Sequence, residues 1–190
     1  GEPTMALLET ACKLFLKNNC NGVVAIGGGS AIDLAKAVAA ISKNESQSFR
    51  SLGELKIIDR YPLIAVPTTA GTGSEATKIS VLTDSSVQVK YNPGHVDLIP
   101  DVAILDPVLT LNVPKHVTAF TGIDALTHAI EAYVSTKANE VTDFYALQAI
   151  RMISQSIVEA YQHPTNIQAR SKMLLGSYYA GLAFSNASTN

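Results

Sequence analysis

"VVAIGGGSAIDLAKA", residues 23–37, passes from a β-branched apolar run through three glycines into a stretch with helical spacing. Residues 23–26 show no polar alternation, which predicts a strand buried on both faces, as in a parallel sheet. Beyond the glycines, Ile32, Ala35, Val38 and Ala39 recur three and four residues apart and mark one face of a helix. A loop that leaves a parallel strand and opens a helix lies at the carboxyl edge of the sheet, where open α/β folds bind ligands. Glycine there lets the backbone come close to another group, and the helix start offers free N–H donors to an anion such as phosphate. Ser30 is the expected N-cap, with Asp33 returning a bond to the Ser30 N–H. The same glycines also suit a plain tight turn, and the stretch is neither GxGxxG nor a Walker A loop.

A second buried strand is expected at 63–66, between Pro62 and Pro67, and it runs into "PTTAGTGSEAT", residues 67–77. Hydroxyls and glycine amides in such a loop suit ribose and phosphate oxygens, although a flexible surface loop has the same composition. Two loops of this kind on neighbouring strands would face one crevice. Upstream, Thr4 caps a helix whose apolar face is Met5, Leu8, Cys12 and Phe15. Two strands at 77–83 and 87–91, joined at "DSS", and a further strand at 102–105 follow. After Pro114 no β-rich run remains, and helices are expected at 114–120, 123–135, 140–161 and 166–184. The pattern predicts an α/β, Rossmann-like parallel-sheet nucleotide-binding domain over 1–112, then the start of an all-helical domain over 113–190.

Composition narrows the partners. The 190 residues are 47% apolar and 16% charged, and the formal net charge is −2 with the basic residues scattered. That leaves no electrostatic footprint for nucleic acid or an anionic membrane, so small ligands remain. No apolar run reaches the roughly 20 residues that span a bilayer. Cys12 and Cys20 match no disulfide or metal framework, which suits a reducing compartment and a cytoplasmic location; both are expected to be packing residues.

In "TGIDALTHAIEAY", residues 121–133, Asp124 and His128 are four apart on a helix and project from one face, with Glu131 one turn further on. A carboxylate and an imidazole at this spacing suit Fe²⁺ or Zn²⁺, and an ordinary Asp–His helix pair has the same spacing. Two ligands are too few for a catalytic centre, which takes at least three protein groups.

Four strings, "AIGGGSAIDLAKA", "IAVPTTAGTGSEAT", "PDVAILDP" and "PKHVTAFTGIDALTHAIEAY", occur in this order along nearly the whole chain. Together they resemble the iron-containing, group III alcohol dehydrogenases. The resemblance implies a nucleotide-binding domain, then a helical metal domain, with NAD or NADP in the cleft between them. It implies that Gly27, Gly28, Gly29 and Ser30 hold the cofactor diphosphate and that Asp33 supports the loop. Thr68, Thr69 and Thr72 would line the adenosine and diphosphate path. Lys90 would stand near the nicotinamide-side ribose, and Leu109 would contact the nucleotide. Asp124 and His128 would be both catalytic and metal-binding, for Fe²⁺ or Zn²⁺, completed by two histidines on later helices. The implied reaction is metal-assisted hydride transfer between a small alcohol and an aldehyde or ketone, in a homodimer or larger assembly. The chain reads as an internal piece of such an enzyme, which by itself would bind metal weakly and turn over little. A zinc-dependent glycerol dehydrogenase-like enzyme, a dehydroquinate synthase-like enzyme and a noncatalytic nucleotide-binding module are the alternatives.

Overall fold

The computed structural model describes residues 2–188. The Thr4 side chain accepts the Leu7 N–H and starts α1 (Met5–Lys17), which buries Leu8, Cys12 and Phe15. The apolar run forms β1 (Val23–Gly27) and leads into α2 (Gly29–Ile41). A short 3-10 turn, Phe49–Glu54, buries Phe49 and Leu52 between α2 and β2 (Leu63–Pro67). An antiparallel hairpin of β3 (Leu82–Asp84) and β4 (Val89–Tyr91) follows, and then β5 (Val102–Ala103). The strands β1, β2 and β5 lie side by side in that order and are all parallel.

One face of α2 meets the sheet through Ile32, Ala35 and Ala39, which pack with Ala25, Leu63 and Ala65. Its other face, with Ala37, Val38 and Ala40, packs in a second core with α1, Phe49, Leu52 and Leu98. The alanines let the backbone of α2 sit close to both layers, which fixes where its N-terminus emerges.

Three long helices complete the described chain: α3 (Lys115–Val134), α4 (Glu140–Gln162) and α5 (Ile167–Ala187). Their shared seam is small, with Ala125, Ala129, Ala149 and Ala180 around Ile153 and Met173. Among the described residues no helix is long and apolar enough to cross a membrane.

Several expectations are corrected here. Residues 23–26 are not buried on both faces: Val24 and Ile26 are 61% and 64% exposed, because α2 covers only the Ala25 side of this edge strand. The predicted break in α3 at residues 121–122 does not occur. Gly122 sits inside a continuous helix, where a Cβ would fall 2.7 Å from Met173 and 2.8 Å from Ile157, so its glycine serves close packing rather than a turn. The segment 77–81 is no regular strand, since the Thr77 and Ile79 carbonyls accept from a lysine side chain instead. Cys12 is buried as expected, but Cys20 is exposed and packs in no core, because it lies past the end of α1.

Candidate functional site

Register brings the two loops together. β1 and β2 pair from Val23 opposite Leu63 to Gly27 opposite Pro67, so the glycine and threonine loops leave the sheet at the same edge. The Thr68 N–H donates to the Gly27 carbonyl at 2.9 Å and ties them. Gly29 lies so near Thr72 that an added Cβ would fall 2.5 Å from the Thr72 Oγ1, and one on Gly28 would fall 3.0 Å from the Thr69 Oγ1.

The helix start differs from the capping expected. Gly28 is the N-cap of α2 and supplies no side-chain bond, so Ser30 is already the second helical residue. Asp33 does not turn back to Ser30 either. Its carboxylate accepts from the Ser74 hydroxyl and from the Val81 N–H at 3.1 Å, because the loop after β2 folds over this face of the helix. The Ala31 and Ile32 amides bond back to the Gly28 carbonyl. With no side-chain cap, the Gly29 and Ser30 amides are the donors left for a ligand.

A cleft of about 360 Å³ opens at this edge and is lined by Gly29, Ser30, Asp33, Thr72, Lys90 and His128. It therefore gathers residues from α2, the threonine loop, the hairpin and the helical bundle. Lys90 is ion-paired with Glu2, and the Thr83 hydroxyl donates to the same carboxylate at 3.0 Å. Gly27, Gly28, Thr68 and Thr69 are not among the residues that line it. Leu109 is exposed on the 3-10 turn Pro107–Thr110 and does not line the cleft.

Asp124 and His128 share one face of α3, with Oδ1 and Nε2 3.8 Å apart. The imidazole lies against Phe184 of α5, with ring centres 4.7 Å apart and planes tilted by 43°, and its Nδ1 is buried without a hydrogen-bond partner. The other ring nitrogen, Nε2, is the one beside the Asp124 carboxylate, and an imidazole nitrogen and a carboxylate oxygen so placed suit a divalent first-row cation. The described residues supply only this pair, since no group of three His, Cys, Asp or Glu stands close enough to hold a metal. The residues fit Fe²⁺ or Zn²⁺ as two ligands of a larger set.

Two buried charged groups packed near Asp33 escaped the sequence reading. Lys36 is wholly buried, and burial pulls its ammonium down to about 8 against the opposing pull of Asp33 and Glu75. Glu75, also buried, is pushed up to about 7 by loss of solvent, and its Oε1 has no partner. Burial likewise raises Asp33, with Lys36 and the Ser74 hydroxyl opposing it. The one available signal was a lone lysine in the alanine-rich face of α2.

The first 107 residues match the family model for iron-containing alcohol dehydrogenases, and residues 118–190 match the C-terminal model of the same family. This chain belongs to that family. It is 47% identical over 188 residues to the probable alcohol dehydrogenase EutG of Escherichia coli strain K12, covering 98% of this chain and 48% of the relative. An NAD-dependent methanol dehydrogenase of Bacillus methanolicus is 40% identical over 190 residues, 97% of this chain and 49% of the relative. Among solved structures, sulfoacetaldehyde reductase from Bifidobacterium kashiwanohense in complex with NAD⁺ superposes with a TM-score of 0.94 at 39% identity, covering 100% of this chain and 51% of that one. This family member thus spans about half the length of the relatives it matches. The match to intact, related structures bears out the α/β sheet followed by a helical part.

Proposed function

We propose that this chain is the dinucleotide-binding part and the first portion of the metal-binding part of an NAD- or NADP-dependent alcohol dehydrogenase. Residues 1–112 hold the nucleotide and residues 113–190 begin the metal domain. One observation carries this reading: the open amides at Gly29 and Ser30 and the imidazole of His128 border the same cleft. The name of the methanol dehydrogenase and the NAD⁺ bound to the reductase support the coenzyme class.

In this reading the diphosphate rests on the amides that follow Gly27, Gly28 and Gly29, with Ser30 beside it. A single charge at a helix start gains only about 0.3–1 kcal/mol, so several amides act together. Asp33 holds the far loop in place through Ser74 and Val81. Thr68, Thr69 and Thr72 flank the adenosine and diphosphate, and Lys90 turns from Glu2 toward the nicotinamide-side ribose. Asp124 and His128 would hold the metal, near where a small alcohol or aldehyde would meet the nicotinamide. When bound, Fe²⁺ or Zn²⁺ would supply Lewis acidity toward an alcohol or carbonyl oxygen. Phe184 packs on His128 and fixes the direction of its ring. The intact enzyme works in the cytoplasm as a homodimer or larger assembly.

Backbone NMR of this chain with added ADP-ribose tests the site. Shifts should concentrate at residues 27–33 and 68–72, and saturation at about a hundredfold excess over Kd should stabilise the fold by about 2.7 kcal/mol. Shifts confined to another part of the surface would overturn the reading.

A further inference from the structure

Lys36 and Asp33 lie one turn apart on α2, and both reach the loop at residues 74–81, more than forty positions away. The Lys36 ammonium spends all three protons there, donating to the Thr77 carbonyl at 2.8 Å, the Thr77 hydroxyl at 3.0 Å and the Ile79 carbonyl at 2.7 Å. Its Nζ stands 3.8 Å from the Asp33 Oδ1. Asp33 takes the flanking contacts: Ser74 and Val81 donate to its carboxylate, and Ser80 donates to its carbonyl at 2.8 Å. The two side chains therefore grip the loop in its middle and near both ends.

Desolvating an ammonium costs several kcal/mol, and a wholly buried lysine persists only where its protons are all bonded. On α2 itself the neighbours of Lys36 are Ala35, Ala37, Ala39 and Ala40, which offer its ammonium no hydrogen-bond acceptor. What does call for one is the loop, whose segment 77–81 lies outside any regular strand and so presents carbonyls that need a donor. That segment matters to the cleft: Ser74, Thr77, Ile79 and Val81 line it together with Gly29 and Ser30. Lys36 itself does not line the cleft.

We propose that Lys36 is a positioning residue whose buried ammonium fastens the 74–81 loop to α2 and so sets the width of the dinucleotide cleft. The proposal rests on reading that cleft as the dinucleotide site. Without the ammonium, the Thr77 and Ile79 carbonyls must turn toward water, and unpaired buried acceptors are costly enough to move a loop. Thr77 and Ile79 line the cleft, so solvent reaches them from that side. The charged groups facing Lys36 are Asp33 on its own helix and Glu75 in the Ser74–Ala76 turn.

The test compares wild type with Lys36→Met, titrated with ADP-ribose by calorimetry from pH 7 to 9.5, alongside amide exchange. At pH 7 the variant should bind at least tenfold more weakly, and its Val81 amide should exchange faster while the β1–β2 amides keep their protection. The affinity gap should narrow as pH climbs through about 8, because wild-type Lys36 sheds its proton there. A role in folding alone would leave the gap constant, and a constant gap overturns the proposal. Equal affinities at pH 7 overturn it as well. Failure of the wild type to bind ADP-ribose overturns the cleft reading itself, and this inference with it. Should Lys36→Met fail to fold, Thr77→Val keeps the lysine and removes one acceptor. It should weaken ADP-ribose binding about threefold, and unchanged affinity would again overturn the proposal.

Discussion

Gly73→Ala is the substitution to which the junction between the threonine loop and the helical bundle should be most sensitive. Gly73 has φ +60, and a Cβ there would fall 2.8 Å from the Gly181 Cα and 2.9 Å from the Ser177 carbonyl oxygen. Both obstacles are backbone atoms of α5, so no side-chain rotation relieves the contact. A left-handed backbone costs a non-glycine residue about 1–2 kcal/mol. Overpacking adds about 1–3 kcal/mol. The sum, about 2–5 kcal/mol, corresponds to a melting temperature lowered by on the order of 10 °C for a chain of this size. Gly22→Ala is the internal control, because its Cβ would meet nothing nearer than the Pro62 carbonyl at 3.6 Å. That change should leave stability within about 1 kcal/mol of wild type, with any gain arising from a less flexible unfolded chain. Urea midpoints read both variants. If Gly73→Ala unfolds at the same urea concentration as Gly22→Ala, the loop does not press on α5 as described.

Three further outcomes are expected. Calorimetric titration of this chain with Fe²⁺ or Zn²⁺ should show weak binding that Asp124→Asn and His128→Ala each abolish; a tight one-to-one complex would show that the described residues hold a ligand beyond this pair. Glu75 is raised by burial from its ordinary 4.5 to about 7, so it favours the folded state fully below pH 4.5 and loses that contribution as pH rises through about 7. Thermal melts from pH 4 to 8 should therefore decline less steeply for Glu75→Gln, and parallel curves would contradict the burial. Arg170, buried where it donates to the Pro164 carbonyl at 2.9 Å and the Thr118 hydroxyl at 2.7 Å, anchors α5 to the start of α3. Replacing it with Met should cost about 1–3 kcal/mol by leaving buried acceptors unpaired, as chemical denaturation would read.

Much of the architecture was legible from residue order alone. The apolar run ending in glycines located β1 and the start of α2, proline brackets located β2, and the absence of β-rich runs after Pro114 located the helical part. Each depends on neighbours within one or two turns, where spacing and propensity act directly. The Asp124–His128 pair was visible for the same reason, as residues four apart on a helix must share a face.

What lay beyond the sequence were pairings between distant positions. Asp33 was expected to cap its own helix, yet a loop 41 to 48 residues away takes its carboxylate. Lys36 was not singled out in the sequence, and its burial comes from the same loop closing over it. Residues 121–122 fall between two expected helices, but a glycine that ends a helix and one that admits a neighbouring side chain look alike, and only the packing of Met173 and Ile157 against Gly122 distinguishes them. Exposure of Val24 and Ile26 depended on which layers cover β1. The residue types and local periods thus determined the elements and the chemistry available. Tertiary packing decided which buried groups satisfy one another, because hydrogen-bond partners and neighbouring layers are set by three-dimensional proximity rather than by spacing along the chain.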